Sequence, residues 1–186
     1  MPSEMSKLTM ALGAAIRPIT DTEERAAMEA ALRYLSNELS QRHRVYGIEL
    51  RIPKIEQAAA TPRHFAVVIG DYDKRRTLEV VVDSAGKLVS KTDLTGFQPP
   101  IGNDEVAEAR KIAETQPIIA ALAKATGGFV QAFGPHAEAA PGRRLVGLRY
   151  GAMDATGPRA LAEVEVDLAR QKLIRFEDIE APDGEN

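Results

Sequence analysis

Apolar residues in this chain switch from a helical spacing to an alternating one, and the switch occurs twice. In "PITDTEERAAMEAALRYLSNELSQRHR", Met28, Leu32, Leu35 and Leu39 fall on one helical stripe. Thr20 followed by Glu23 supplies a capping-box start for that helix. Strand patterns come next. Ile48, Leu50 and Ile52 alternate with Glu49 and Arg51 until Pro53 ends the run. "HFAVVIGD" is almost wholly apolar, as suits a strand central in its sheet. "DYDKRRT" reads as a charged turn, and "LEVVVDSAGKLVSKTDL" as a hairpin around Gly86.

The order then restarts. "NDEVAEARKIAETQPIIAALAKATGG" predicts a helix with Val106, Ala109 and Ile112 inward. Pro117 breaks it and opens a further turn, and Gly127 and Gly128 terminate it. "FVQAFG", "RRLVGLRYG", "RALAEVEVD" and "KLIRFEDI" follow as strand candidates. Aligning the hairpins sets Asp83 on Asp167, Leu88 on Leu173 and Asp93 on Asp178, an offset of 84 or 85 residues. The expected fold class is therefore α+β: two tandem units, each a helix packed on an antiparallel sheet of about four strands. Residues 1–16 read as a flexible N-terminal segment, 17–98 as the first unit, 99–180 as the second and 181–186 as a tail. "GFQPPI" between the units predicts a stiff connector with Phe97 or Ile101 buried, because paired prolines restrict the backbone to extended forms.

Composition narrows the function classes. With aromatics at 5% and no tryptophan, Ala, Val, Leu and Ile must fill the core. The formal charge of −3 gives no basic surface for nucleic acid, and "DKRR" and "GRR" fall at turns. The lack of cysteine excludes disulfides, thiol catalysis and cysteine metal sites. No apolar run approaches the roughly 20 residues of a membrane-spanning helix. The weak apolar patch from Leu8 to Ile16 follows Glu4 and has Lys7 as its only upstream basic side chain, a poor match to a signal peptide, so a cytoplasmic protein is expected.

Few residues suggest chemistry. Glu163, Glu165 and Asp167 share one strand face and could hold a cation, although a solvated sheet face is the commoner cause of such a pattern. "GGFVQAFG" lacks the spacing of a dinucleotide loop, and no Gly-x-Ser-x-Gly elbow occurs. "QAFG" at Gln131 also departs from the Gln-x-Val-x-Gly loop of protease-inhibiting cystatins.

Across Val80 to Lys124 the chain resembles the junction between the second and third amino-terminal domains of copper-containing primary-amine oxidases, tyramine oxidase-like enzymes among them. The positions carrying the resemblance are Val81, Val82, Asp83, Gly86, Val89, Gly96, Gln98, Pro99, Pro100, Pro117, Ala121, Leu122, Ala123 and Lys124. "RPITDTEERAAM" is similar to the segment opening the family's second domain, and "EVEVDLARQKLIRFED" to the hairpin closing its third. The likeness spans Arg17 to Asp178. It departs at Ala125 and Thr126, where the family has Arg-Gly, and in lacking the third domain's tryptophan.

The resemblance implies a pair of cystatin-like domains. It also implies a relation to enzymes that oxidise primary amines with copper and topaquinone. Those enzymes need a His-x-His pair with a third histidine, and a tyrosine in an Asn-Tyr-Asp/Glu context. Here His43, His64 and His136 are scattered, and Tyr72 sits in "DYD" with Asp71 where asparagine would stand. The expectation is a non-catalytic structural or docking module with no catalytic, cofactor-binding or metal-binding residues and no cofactor of its own. Its partner would be an amine oxidase catalytic domain or a second copy, with no nucleic acid or membrane involved. The rival reading is a module that binds a small ligand or protein on the concave face of a cystatin-like sheet. An enzyme using such a cavity with an acid–base pair is a third.

Overall fold

The computed structural model describes residues 17–52, 62–125, 128–134, 143–155 and 157–179. It divides into two compact units between Thr95 and Gly96. Each holds one four-stranded antiparallel sheet in sequential order. The fold is α+β, as the two alternations of period imply.

In the first unit, α1 (Asp21–Tyr34) packs on β1 (His43–Arg51), β2 (His64–Asp71), β3 (Arg76–Asp83) and β4 (Leu88–Asp93). The Thr20 hydroxyl accepts from the Glu23 N–H while the Glu23 carboxylate accepts from the Thr20 N–H, completing the capping box. The buried seam differs from the expected one. Ala27, Ala30, Ala31 and Leu35 lie deepest, while Met28, Leu32 and Leu39 flank them half-buried. Alanines let the helix backbone settle close to the sheet, and the longer side chains then spread sideways over its edges. Beneath them Phe65, Val67 and Ile69 of β2 and Leu78, Val80 and Val82 of β3 close the core. Ile52 follows β1 and is exposed.

In the second unit, α2 (Asn103–Ala113) and α3 (Pro117–Lys124) lie on β5 (Gly128–Phe133), β6 (Leu145–Asp154), β7 (Gly157–Asp167) and β8 (Lys172–Asp178). Pro117 takes the first position of α3, where its missing N–H leaves no bond unmade. Glu105, Ala109 and Ala113 form the buried face of α2, with Val106 and Ile112 half-buried beside it. Leu148, Tyr150, Val164 and Val166 supply the facing sheet core. Gly127 lies outside the described residues, and Gly128 already begins β5.

The repeat reaches the hydrogen-bond register. Val81 pairs Ser90 and Val82 pairs Leu88, leaving Val89 as the extra residue of a β-bulge. Glu165 pairs Arg175 and Val166 pairs Leu173, leaving Ile174 in the same position. A second shared device joins the first two strands of each unit. The Tyr46 ring covers Gly70, and the Phe129 and Phe133 rings cover Gly151 and Gly147, filling the space each missing Cβ leaves. The final turns are not alike: Gly86 supplies the positive φ (77°) in one, Gln171 (51°) in the other.

Candidate functional site

Two polar nodes and one acidic strand face hold the ionisable groups that the fold gathers. The first node is Asp71, at the end of β2 and 1% exposed. Its carboxylate accepts from the Ser40 hydroxyl (2.6 Å), the Ser40 N–H (3.1 Å) and the Lys74 N–H (3.2 Å). Burial pushes its pKa up, but these hydrogen bonds outweigh burial and hold it below the usual aspartate value. Beside it, Arg42 lies over the Tyr72 ring at 5.5 Å, and the Tyr46 hydroxyl donates to that of Tyr72 at 3.4 Å. The "DYD" segment is thus a packed turn in which Asp71 ties the end of α1's following loop to the sheet.

The second node is Arg144, just before β6. Its guanidinium grips both Glu105 oxygens at 2.7 and 2.6 Å, and both groups are buried. It also donates to the Pro99 and Pro100 carbonyls and to Gln98 Oε1. Gln98 in turn donates to the Arg143 carbonyl. Glu105 additionally accepts from the Gly102 N–H at 3.0 Å, half of a capping box. The connector therefore belongs to the second unit. Gln98 and Pro99 are held there, so the division falls at Thr95 rather than after Gln98. Of the side chains expected to be buried, Phe97 is exposed and Ile101 half-buried; the buried one is Pro99.

The acidic face departs from its expected solvation. Glu165 and Asp167 are 3% and 0% exposed. Each carboxylate stands near an arginine: Glu163 takes Arg149 at 2.7 Å, Glu165 lies 3.8 Å from Arg175, which also pairs with Glu177, and Asp167 lies 3.7 Å from Arg170 while its Oδ2 meets no hydrogen-bond partner among the described residues. Alternation assigns these residues to one face but carries no information about what covers it. Nearby in the helix-side core, Tyr150 is fully buried, and its hydroxyl meets no partner at bonding distance among the described residues. Burial first, and the Glu114 charge second, push it up to about 12.

His43 and His64 lie at opposite ends of the β1–β2 ladder. His43 is exposed with Nδ1 on the Ser40 carbonyl at 2.7 Å, and His64 opens β2. His136 lies outside the described residues. Among the described residues no group of three or more His, Cys, Asp or Glu is placed to hold a metal ion. Tyr72 is packed between Arg42 and Tyr46, and its neighbour Asp71 is committed to Ser40 and Lys74. Among the described residues no helix is long and apolar enough to cross a membrane. No family model and no curated protein matches this chain.

Proposed function

We propose that the chain is a non-catalytic structural and docking module. It would correspond to the cystatin-like second and third amino-terminal domains of a copper-containing primary-amine oxidase, and its partner would be an amine oxidase catalytic region or a second copy. The observation carrying this reading is the use made of the buried charges. Asp71 holds a loop, and Arg144 and Glu105 hold the connector. A buried group saturated by hydrogen bonds is a poor acid or base, because moving its proton breaks the bonds that stabilise the fold. The resemblance across the "GFQPPI" connector supplies the family. The Arg144 clamp gives that segment a structural role that needs no substrate.

The test is direct. After loading with cupric ion in air and dialysis against a mild chelator, the protein should retain no stoichiometric copper and show no quinone absorbance. It should release no peroxide from tyramine or other primary amines. Retained copper together with amine-dependent peroxide would overturn the reading.

A further inference from the structure

We propose that Tyr46 and Tyr72 form an oxidative cross-linking site, where a one-electron oxidant such as a peroxide-driven haem peroxidase joins the two phenols as dityrosine. The inference goes beyond the docking-module reading and rests on these two side chains alone. Composition sets where such an oxidant acts. The chain has neither tryptophan nor cysteine, the side chains that otherwise give up single electrons most readily, so the phenols become the principal targets. Of the four tyrosines, Tyr34 is 44% exposed on α1 and Tyr150 is 0% exposed in the second unit. The other two touch each other.

The strands bring the two rings together. β1 pairs Val45 with Ile69 and Gly47 with Val68, leaving Tyr46 as the extra residue of a β-bulge. The bulge lays the Tyr46 ring over Gly70, where a Cβ would stand 2.4 Å from Cε2. Only glycine leaves that space. Tyr72 directly follows β2, and its N–H donates to the Arg42 carbonyl at 2.9 Å. That bond continues the pairing past Asp71 and holds Tyr72 beside the chain that carries Tyr46. The Tyr46 hydroxyl then meets that of Tyr72 at 3.4 Å. Tyr46 is half-buried and offers the oxidant an edge, whereas Tyr72 is 9% exposed and shielded from other molecules.

The contact already has the arrangement of the product. In dityrosine the rings are joined through carbons ortho to their hydroxyls, which sets the two oxygens side by side and hydrogen-bonded to each other. Each phenol gives one electron to the oxidant and its hydroxyl proton to water. The Arg42 guanidinium lies 5.5 Å from the centre of the Tyr72 ring, and that of Arg44 lies 5.9 Å from the centre of the Tyr46 ring. A cation at that range disfavours a positively charged ring and so favours loss of the proton. The two neutral phenoxyl radicals couple ortho carbon to ortho carbon. Each joined carbon then sheds its hydrogen as a proton, the oxygens regain theirs, and both rings are aromatic again. The net change is the loss of two hydrogen atoms, with one hydrogen peroxide reduced to two waters. The new bond spans a sequence separation of 26 residues and ties the bulge of β1 to the turn between β2 and β3.

The whole protein, treated with a haem peroxidase and hydrogen peroxide over a range of protein concentrations, is followed by dityrosine fluorescence and by mass spectrometry of its tryptic peptides. The expected product is one chain in which "VYGIELR" is joined to "HFAVVIGDYDK", two hydrogen atoms lighter than the sum of the two peptides. Its yield should not depend on protein concentration, because both rings belong to one molecule. Tyr46→Phe and Tyr72→Phe should each abolish the joined pair, and Tyr34→Phe should leave it in place. A parent chain that yields no such pair, cross-links formed only between molecules, or a concentration-dependent yield would each overturn the inference. So would loss of the pair in Tyr34→Phe. Neither copper nor an amine enters this experiment, so its failure leaves the docking-module reading standing, and copper retention with amine oxidation would leave the cross-link standing.

Discussion

Asp71 shows how a single carboxylate can look catalytic in the sequence and be structural in the fold. It stands where an asparagine would precede the quinone-forming tyrosine of the resembled family. Its three hydrogen bonds all come from Ser40 and Lys74, and Arg76 lies 4.0 Å away. Asp71→Asn keeps the shape but turns an amide donor toward groups that are themselves donors. The cost should be about 1–3 kcal/mol, the desolvation penalty of a buried polar group without its partner, read as a lower Tm. The linkage has a definite sign. Asp71 and Glu23 both have folded pKa values below their unfolded ones, Glu23 held at about 2 against an ordinary 4.5, chiefly by Arg17. Each contributes stability above the unfolded pKa that is lost as pH falls through the folded value. For Glu23 that window runs from 4.5 down to about 2. Thermal melts through this range should fall less steeply in Glu23→Gln than in the parent; equal slopes would remove Glu23 from the acid response.

At the scale of elements, much was legible in the sequence. The capping box at Thr20, the break at Pro117 and the apolar or alternating runs read as strands are local signals, and local geometry obeyed them. Non-local matters were not legible. Arg144 and Glu105 are 39 residues apart, and no spacing rule links a residue before a strand to the first turn of a distant helix. Nor does a period-2 pattern say which sheet face is covered, hence the unexpected burial of Glu165 and Asp167. The glycine–aromatic pairs fall between these cases. Gly70, Gly147 and Gly151 are visible as glycines within strands, but only pairing shows which ring covers each. These pairs predict a ranking. At Gly151 a new Cβ would strike the Phe129 ring and the Arg159 carbonyl oxygen, and backbone cannot swing away. At Gly147 it would meet only the Phe133 ring, at 2.6 Å. Gly151→Ala should therefore cost about 1–3 kcal/mol as overpacking, more than Gly147→Ala. Chemical denaturation of the two variants checks the order.

For the whole molecule, the consequence is how far a local loss of stability spreads. Each unit has a core of its own: Ala30, Phe65, Val67 and Val80 in one, Leu148, Tyr150, Val164 and Val166 in the other. The connector residues Gln98 to Pro100 are bonded within the second unit through Arg143 and Arg144. Replacing Arg144 by methionine keeps much of the side-chain volume but strands the Glu105 carboxylate, which is 0% exposed. Breaking one partner of a buried ion pair costs on the order of 3–5 kcal/mol. It also frees the Pro99 and Pro100 carbonyls, so the loss should concentrate in α2, β6 and the connector. Hydrogen exchange separates the alternatives. In Arg144→Met, amides of Leu148 and Val164 should exchange at least tenfold faster, about 1.4 kcal/mol or more of lost protection. Those of Val67 and Val80 should keep the parent's rates. Equal acceleration in both sets would mean that the repeated units open together and that the cooperative element is the whole chain. Acceleration confined to Leu148 and Val164 would make Arg144 the anchor of one unit alone, with the proline pair as that unit's first strapped segment.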